Sequence, residues 1–388
     1  MAGIALADAD FALLMRPPRR TEALPGIGGR LRARPEDFVV RELPAYDADG
    51  REGHLLLTLK KRLLTTDEAI AAVAEACGID RREIGVAGLK DRDAVTEQRI
   101  SVPAEAAAAL ARFRHPQIEL GEPAPHSHKL RRGHLHGNAF EVTIRDLAVP
   151  LAVAEARASA KLDALAALGG LDNLYGIQRF GHDGRNILQG LERLAGRARG
   201  RRKADFLTSA GQSALFNLYL LERRARGLSR TVLLGDVLKK TVTGGLFVCD
   251  DPETDQARLD AGELVITGPI FGGKMKAPPP DSPSADLERG ILDRVGVDPS
   301  ALVALGKKTP GTRRPLQLTP GELQLRRVPA VELASQGMAP HKASHCGEGL
   351  CLRFRLPSGA YATQLTHEIQ GPTDDDTSTN APVSHKGP

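Results

Sequence analysis

A mixed α+β fold with a largely antiparallel sheet is what this 388-residue sequence predicts, on three observations. Segments such as PEDFVVRE (35–42), HLLLTLK (54–60) and GNAFEVTIR (137–145) carry the apolar and β-branched residues of strands. Between them lie well-signalled helices, of which TDEAIAAVAEAC (66–77) is the clearest. Strands and helices alternate without a strict βαβ rhythm, which excludes a doubly wound parallel sheet.

In chain order, residues 1–30 form an N-terminal arm with Arg16, Pro17, Pro18, Arg19 and Arg20 ahead of a Gly26-Ile27-Gly28-Gly29 turn. The first strand centres on Phe38, Val39 and Val40, and the second spans 54–60. Helix 66–77 has Thr65 or Thr66 as N-cap, acids in its first turn and Gly78 beyond its end. Strand 99–102, an Ala-rich helix over 104–112, strand 137–145 and a helix over 151–168 follow, the last stopped by Gly169-Gly170. Near residue 172 the character changes: NLYGIQRFGHDGRN (173–186) is Gly-rich and polar, and a basic stretch (197–203) leads into a helix over 204–226. Further strands are expected within 234–248 and 264–270, a Pro-rich loop at 278–283, a helix at 285–295 and a basic turn at 306–315. Strand CLRFRLP and a short helix AYATQLTHEI complete the ordered chain, and the polar run after 371 reads as a disordered tail. No repeat recurs at a fixed period.

Composition narrows the function classes. A hydrophobic share of 41% with 26% charged residues suits a globular protein with a sizeable core. Four scattered cysteines argue against a disulfide scaffold, and no apolar run is long enough to span a bilayer. A cytoplasmic protein is expected. The net charge of +5 is mild, but the cations are clustered, which suits a polyanionic partner.

The stretch with most chemistry is 85–102, GVAGLKDRDAVTEQRISV. Gly85 and Gly88 allow a tight turn, and Asp91 stands between Lys90 and Arg92. Flanking cations favour the ionised carboxylate, so this loop is suited to presenting a reactive Asp.

That loop and several other segments resemble one family, the TruD-type tRNA pseudouridine synthases. AGLKD followed by AVTEQ carries most of the likeness. R-x-x-PEDF (32–38) comes before it, and GNAF (137–140), NLYGIQRFG (173–181), SALFN (213–217) and LPSGAYAT (356–363) after it, all in the family's order. The resemblance implies a pseudouridine synthase catalytic domain, residues 31–172 together with 336–370, interrupted by an inserted α/β TRUD domain at 173–335. An RNA-binding cleft is expected where the two meet, with Asp91 on its floor, and a tail at 371–388.

It also implies the activity: isomerisation of uridine in tRNA to pseudouridine, with uridine 13 of the D arm as the expected target. Asp91 becomes the catalytic carboxylate, acting as nucleophile or as base at the sugar, with Arg32 as its cationic partner, while Lys90 and Arg92 stand nearer in sequence. An Arg fork suits a fixed carboxylate better than an ammonium. Phe38, Phe140 and Tyr361 match the family's aromatic positions and Asn138 its amide; Gln178 and Arg179 are further candidate substrate contacts. A flipped base is held by stacking and edge hydrogen bonds, which is what such residues supply. Leu174-Tyr175 departs from the family, where two aromatics often sit, and Trp is absent. No cofactor, metal or nucleotide is implied; GPIFGG (268–273) lacks the context of a phosphate loop. A monomer is expected.

Three cationic clusters suit an RNA backbone. They are Arg197, Arg199, Arg201, Arg202 and Lys203; Lys129, Arg131 and Arg132 among His126, His128, His134 and His136; and Lys307, Lys308, Arg313 and Arg314. Zinc ligation by the His set, or by His341, His345, Cys346 and Cys351, lacks paired CxxC spacing. From another class, a non-catalytic RNA-binding or chaperone protein that keeps the fold is the alternative. Asp91, Asn138 and Phe140 together favour the enzyme.

Overall fold

A computed structural model describes residues 4–181, 183–198, 204–332 and 345–372. The chain divides into two compact units. One comprises Ala23–Ala164, Pro320–Ala362 and Thr366–Pro388, the other Met1–Glu22, Leu165–Thr319 and Thr363–Leu365.

The first unit is built on a nine-stranded sheet. Its main path runs Gly321–Val328, Gly349–Pro357, Leu135–Arg145, Phe38–Pro44, Val95–Pro103, His54–Arg62 and Ile118–Leu120. Two short strands, Gly85–Val86 and Ala124–His126, pair onto Val95–Pro103 and His54–Arg62. Every described pairing in this sheet is antiparallel except Phe38–Pro44 with Val95–Pro103. The expected α+β class is therefore the observed one. Alternation fixes the faces: Leu55, Leu57, Leu59, Ile100 and Val102 pack against Ala69, Ile70 and Val73 of helix Thr66–Cys77. Thr65 caps that helix with a capping box through Glu68, and Gly78 ends it in the left-handed conformation.

In the second unit, helix Ala204–Ala225 is the centre of the core, with Leu215, Phe216, Leu218, Tyr219 and Leu221 buried. It packs beside a four-stranded sheet that includes Val237–Lys240, Leu264–Ile270 and Thr312–Pro315. A buried fork from Arg223 to Asp236, at 2.7 and 3.1 Å, anchors the helix end. Part of the arm is ordered as helix Asp8–Met15, whose Leu14 joins this core. Of the basic turn expected at 306–315, the first part is a turn with Lys307 and Lys308 exposed, but Thr312–Pro315 is a strand, with Arg313 buried against Glu288 at 2.6 Å. Burial of Leu316 and the 264–270 strand draws these residues inward, so Arg313 serves the core.

Candidate active site

The site begins with the PEDF segment. Asp37 is buried and receives both carboxylate contacts from Arg145 Nε at 2.9 Å, with Arg34 Nε at 3.2 Å. Arg145 also donates to the Pro329 and Gly347 carbonyls at 3.0 and 2.9 Å. This pair fixes where the strand starts and hence where Phe38 points. Phe38, 2% exposed, lies under the Arg32 guanidinium, whose Cζ is 4.4 Å from the ring centroid. Stacking on an aromatic face restricts a guanidinium while leaving its fork free. The fork reaches Asp91 Oδ2 at 2.7 Å. Arg32 has φ 53°, a left-handed conformation costing a non-Gly residue about 1–3 kcal/mol, and such strain clusters at functional sites.

The loop bearing Asp91 is fastened from several directions. Gln98 Nε2 donates to the Gly88 carbonyl at 3.0 Å, and Gly133 N to the Ala87 carbonyl at 2.8 Å. Buried Thr66 Oγ1 accepts from Lys90 N at 2.8 Å and donates to Gln98 Oε1 at 3.0 Å. Arg92 pairs with Glu68, the same Glu that completes the helix capping box. Lys61 Nζ donates to the Asp91 carbonyl at 2.8 Å. The main chain is thus held while the Asp91 side chain stays 54% exposed.

Lys90 is engaged elsewhere: its Nζ lies 2.8 Å from Glu42 Oε2, both side chains nearly inaccessible. Glu42 Oε1 also accepts from Arg99 N at 3.1 Å. Asn138 sits opposite Glu42 in the sheet, and its Oδ1 is buried without a hydrogen-bond partner among the described residues. Phe140, 9% exposed, stacks on Phe354 with centroids 5.2 Å apart. Tyr361 is 37% exposed. Arg32, Phe38, Lys90, Asp91, Asn138, Phe140 and Tyr361 all belong to the first unit.

Gln178 and Arg179 belong to the second unit, in a short turn after the 173–176 loop. Arg179 donates to Ser209 Oγ at 2.5 Å and stands 5.6 Å from the Tyr175 ring. Asn217 of the SALFN segment bridges the Tyr175 backbone, accepting from its N–H at 2.9 Å and donating to its carbonyl at 3.0 Å. Arg314 packs on Tyr175 at 4.2 Å and contacts Asn173, so this cation also serves internal structure.

Of the cations expected to meet an RNA backbone, Lys129, Arg131 and Arg132 line a cavity of about 710 Å³ together with Arg81 and Arg82. Lys129 Nζ contacts the Arg82 carbonyl. None of Arg81, Arg82, Arg131 and Arg132 has a carboxylate at ion-pair distance among the described residues. Arg199, Arg201, Arg202 and Lys203 lie outside the described residues, as do His341 and the tail. Of the His set, His126 and His128 come together with Asp49, whose pKa is held down to about 2 chiefly by the Ser127 hydroxyl, which favours its carboxylate. A larger cavity, about 1090 Å³ and lined by Leu110, Phe113 and Ile118 among others, does not include Asp91.

Sequence reasoning passed over Lys61, Glu42, Arg81 and Arg82. The adjacent Arg81-Arg82 was a signal in plain view; Lys61 fell one residue beyond the strand expected at 54–60, which in the structure runs to Arg62.

Comparison with known proteins gives this combination of sheet and loop a class: an enzyme of the pseudouridine synthase type. The sequence model described as TruD, tRNA pseudouridine synthase D, matches residues 19–198 and 200–369. Proteins named tRNA pseudouridine synthase D from Anaeromyxobacter sp. (strain Fw109-5) and from a strain of Thermus thermophilus are 40% and 38% identical to this chain. These alignments cover 91% and 92% of it and 95% and 94% of the relatives. The chain belongs to the tRNA pseudouridine synthase D family. A crystal structure from Methanosarcina mazei assigned to the same family superimposes with TM-score 0.72 at 22% identity, covering 94% of this chain and 98% of that one, which supports the fold.

Proposed function

We propose that this chain isomerises uridine to pseudouridine in tRNA, at uridine 13 of the D arm, with Asp91 as its catalytic carboxylate. The observation that carries the reading is Asp91 itself: an exposed carboxylate oriented by one Arg fork on a loop whose backbone is held. The reaction breaks the N1–C1′ bond of uridine, turns the base and joins C5 to C1′. The proton lost from C5 balances the one gained at N1, so no oxidant or reductant enters. An ionised Asp91 serves at the sugar as nucleophile on C1′ or as base. Arg32 fixes the direction of attack.

Recognition follows from the unmet groups around it. A buried acceptor left without a donor costs about 1–3 kcal/mol, and Asn138 Oδ1 is such an acceptor. The N3–H of uracil would be a fitting donor once this covered atom is exposed to the base. Exposed Tyr361 offers a stacking face, Phe38 and Phe140 are the aromatic residues at its core, and Lys90 with Glu42 shapes the same region. Gln178 and Arg179 are proposed further contacts to the RNA. The Arg81, Arg82, Arg131 and Arg132 cavity, with Lys129, suits successive phosphates; Arg199, Arg201 and Arg202 are proposed as separate phosphate contacts.

One chain supplies the proposed catalytic groups, so a monomer suffices. Four unpaired cysteines suit the reducing cytoplasm. No described helix is long and apolar enough to cross a membrane. A pure RNA-binding protein would need the cationic cavity but neither the fastened Asp91 nor the unmet Asn138. Incubating the protein with an unmodified tRNA transcript and mapping pseudouridine tests the target. Modification at position 13, absent when that uridine is replaced by cytidine, is expected; modification only elsewhere would overturn the assignment.

A further inference from the structure

Lys61 ends up where a cation is costly. It closes the His54–Arg62 strand with its side chain 1% exposed, yet no carboxylate lies at ion-pair distance among the described residues. A buried charge of this kind costs several kcal/mol unless its donors are satisfied. What satisfies it is main chain: Nζ donates to the Leu64 carbonyl at 2.5 Å and to the Asp91 carbonyl at 2.8 Å. Leu64 immediately precedes the N-cap of helix Thr66–Cys77, so one ammonium joins the helix start to the Asp91 loop. Between these points Leu63 is held at φ 56°, unfavourable for a branched side chain. A methionine could fill the same volume without the charge penalty, but it could not hold a carbonyl.

We propose that Lys61 is a positioning residue for the isomerisation: its ammonium holds the Asp91 main chain, and through it the aim of the Asp91 carboxylate. The inference rests on the reading of Asp91 as the reactive group. It adds a charge as well as a tether. Asp91 and Lys90 on the loop and Glu68 on the helix act on Lys61 electrostatically, while Arg32 and Arg92 engage Asp91 and Glu68. Burial lowers the Lys61 ammonium to about 8, with Asp91 opposing that shift, Lys90 adding to it and Glu68 opposing it. A neutral amine keeps two N–H groups for the two carbonyls. Deprotonation therefore leaves the tether but withdraws the positive charge beside Asp91.

Single-turnover rates across pH, at saturating tRNA, test this in wild type, Lys61→Arg and Lys61→Met. Lys61→Met is expected to lower the rate about a hundredfold, the scale of a roughly 1 Å misplacement. Its tRNA Kd should stay within about threefold of wild type, under 1 kcal/mol. Wild type should lose rate above about pH 8, and Lys61→Arg, permanently charged, should carry its plateau higher. Titration of the uracil ring is common to both and cancels in the comparison. A wild-type rate in Lys61→Met, or coincident alkaline limbs in wild type and Lys61→Arg, would overturn the proposal. Should Lys61→Met not fold, the Lys61→Arg profile decides alone. Asp91→Asn, run beside them, separates the two claims: an active Asp91→Asn sinks the parent reading, whereas an inactive one beside a fully active Lys61→Met sinks only this one.

Discussion

Two Asp–Arg pairs in the same unit show how differently one chemistry can be used. Asp37 and Arg145 are both essentially inaccessible, with both carboxylate oxygens contacted by the guanidinium and two carbonyls on its other arm. Asp91 and Arg32 make one contact, and the side chains are 54% and 26% exposed. The first pair is closed to solvent with both Asp37 oxygens engaged, and it holds the strand start. The second has acceptor capacity left over and a partner steered by the Phe38 ring. Burial and coordination, rather than residue type, separate the structural carboxylate from the one proposed to react.

Breaking the pairs one at a time should separate stability from activity. Asp37→Asn leaves Arg145 as a buried charge with poor compensation and should cost about 3–5 kcal/mol in denaturant unfolding. Asp91→Asn, at a half-exposed site, should stay within about 0.5 kcal/mol of wild type. Equal losses would mean that the Arg32 pair is structural too. Arg32→Ala should next reduce the single-turnover rate about a hundredfold with tRNA affinity little changed. Arg32→Lys should recover only part, because an ammonium offers no fork and stacks less well on Phe38. Full recovery by Lys would reduce the role of Arg32 to charge alone. The smallest effect is on affinity. Replacing Arg81, Arg82, Arg131 and Arg132 by Ala should flatten the slope of log K against log salt by about 3, at roughly 0.7–0.9 per phosphate contact. An unchanged slope would move the RNA grip to the 197–203 segment.

The same contrast explains what could be read from the sequence. Strand alternation around Phe38 and Phe140, the Thr65–Glu68 capping box and an Asp between two cations are local patterns, visible without a fold. The pairing of Lys90 with Glu42 spans 48 residues, and that of Lys61 with the Asp91 carbonyl 30. Such contacts are set by sheet register, which no short window contains. Charge runs were the least legible. Arg131 and Arg132 remain available to solvent beside Arg81 and Arg82, whereas Arg313 and Arg314 turn inward to Glu288 and Tyr175. Nothing in a basic tetrad says which of these will happen; burial of the strand that carries it decides.

The central claim is that Asp91 performs the chemistry on a uridine of tRNA. Its most direct test is tritium release from tRNA labelled at uracil C5, under single turnover with enzyme in excess, for wild type and Asp91→Asn. Release must accompany pseudouridine formation, since C5 loses its hydrogen as it bonds to C1′. Wild type should release about one equivalent per target uridine. Asp91→Asn should release none while binding the tRNA within about tenfold, roughly 1.4 kcal/mol, of wild type. Release by Asp91→Asn at a rate near wild type would contradict the account.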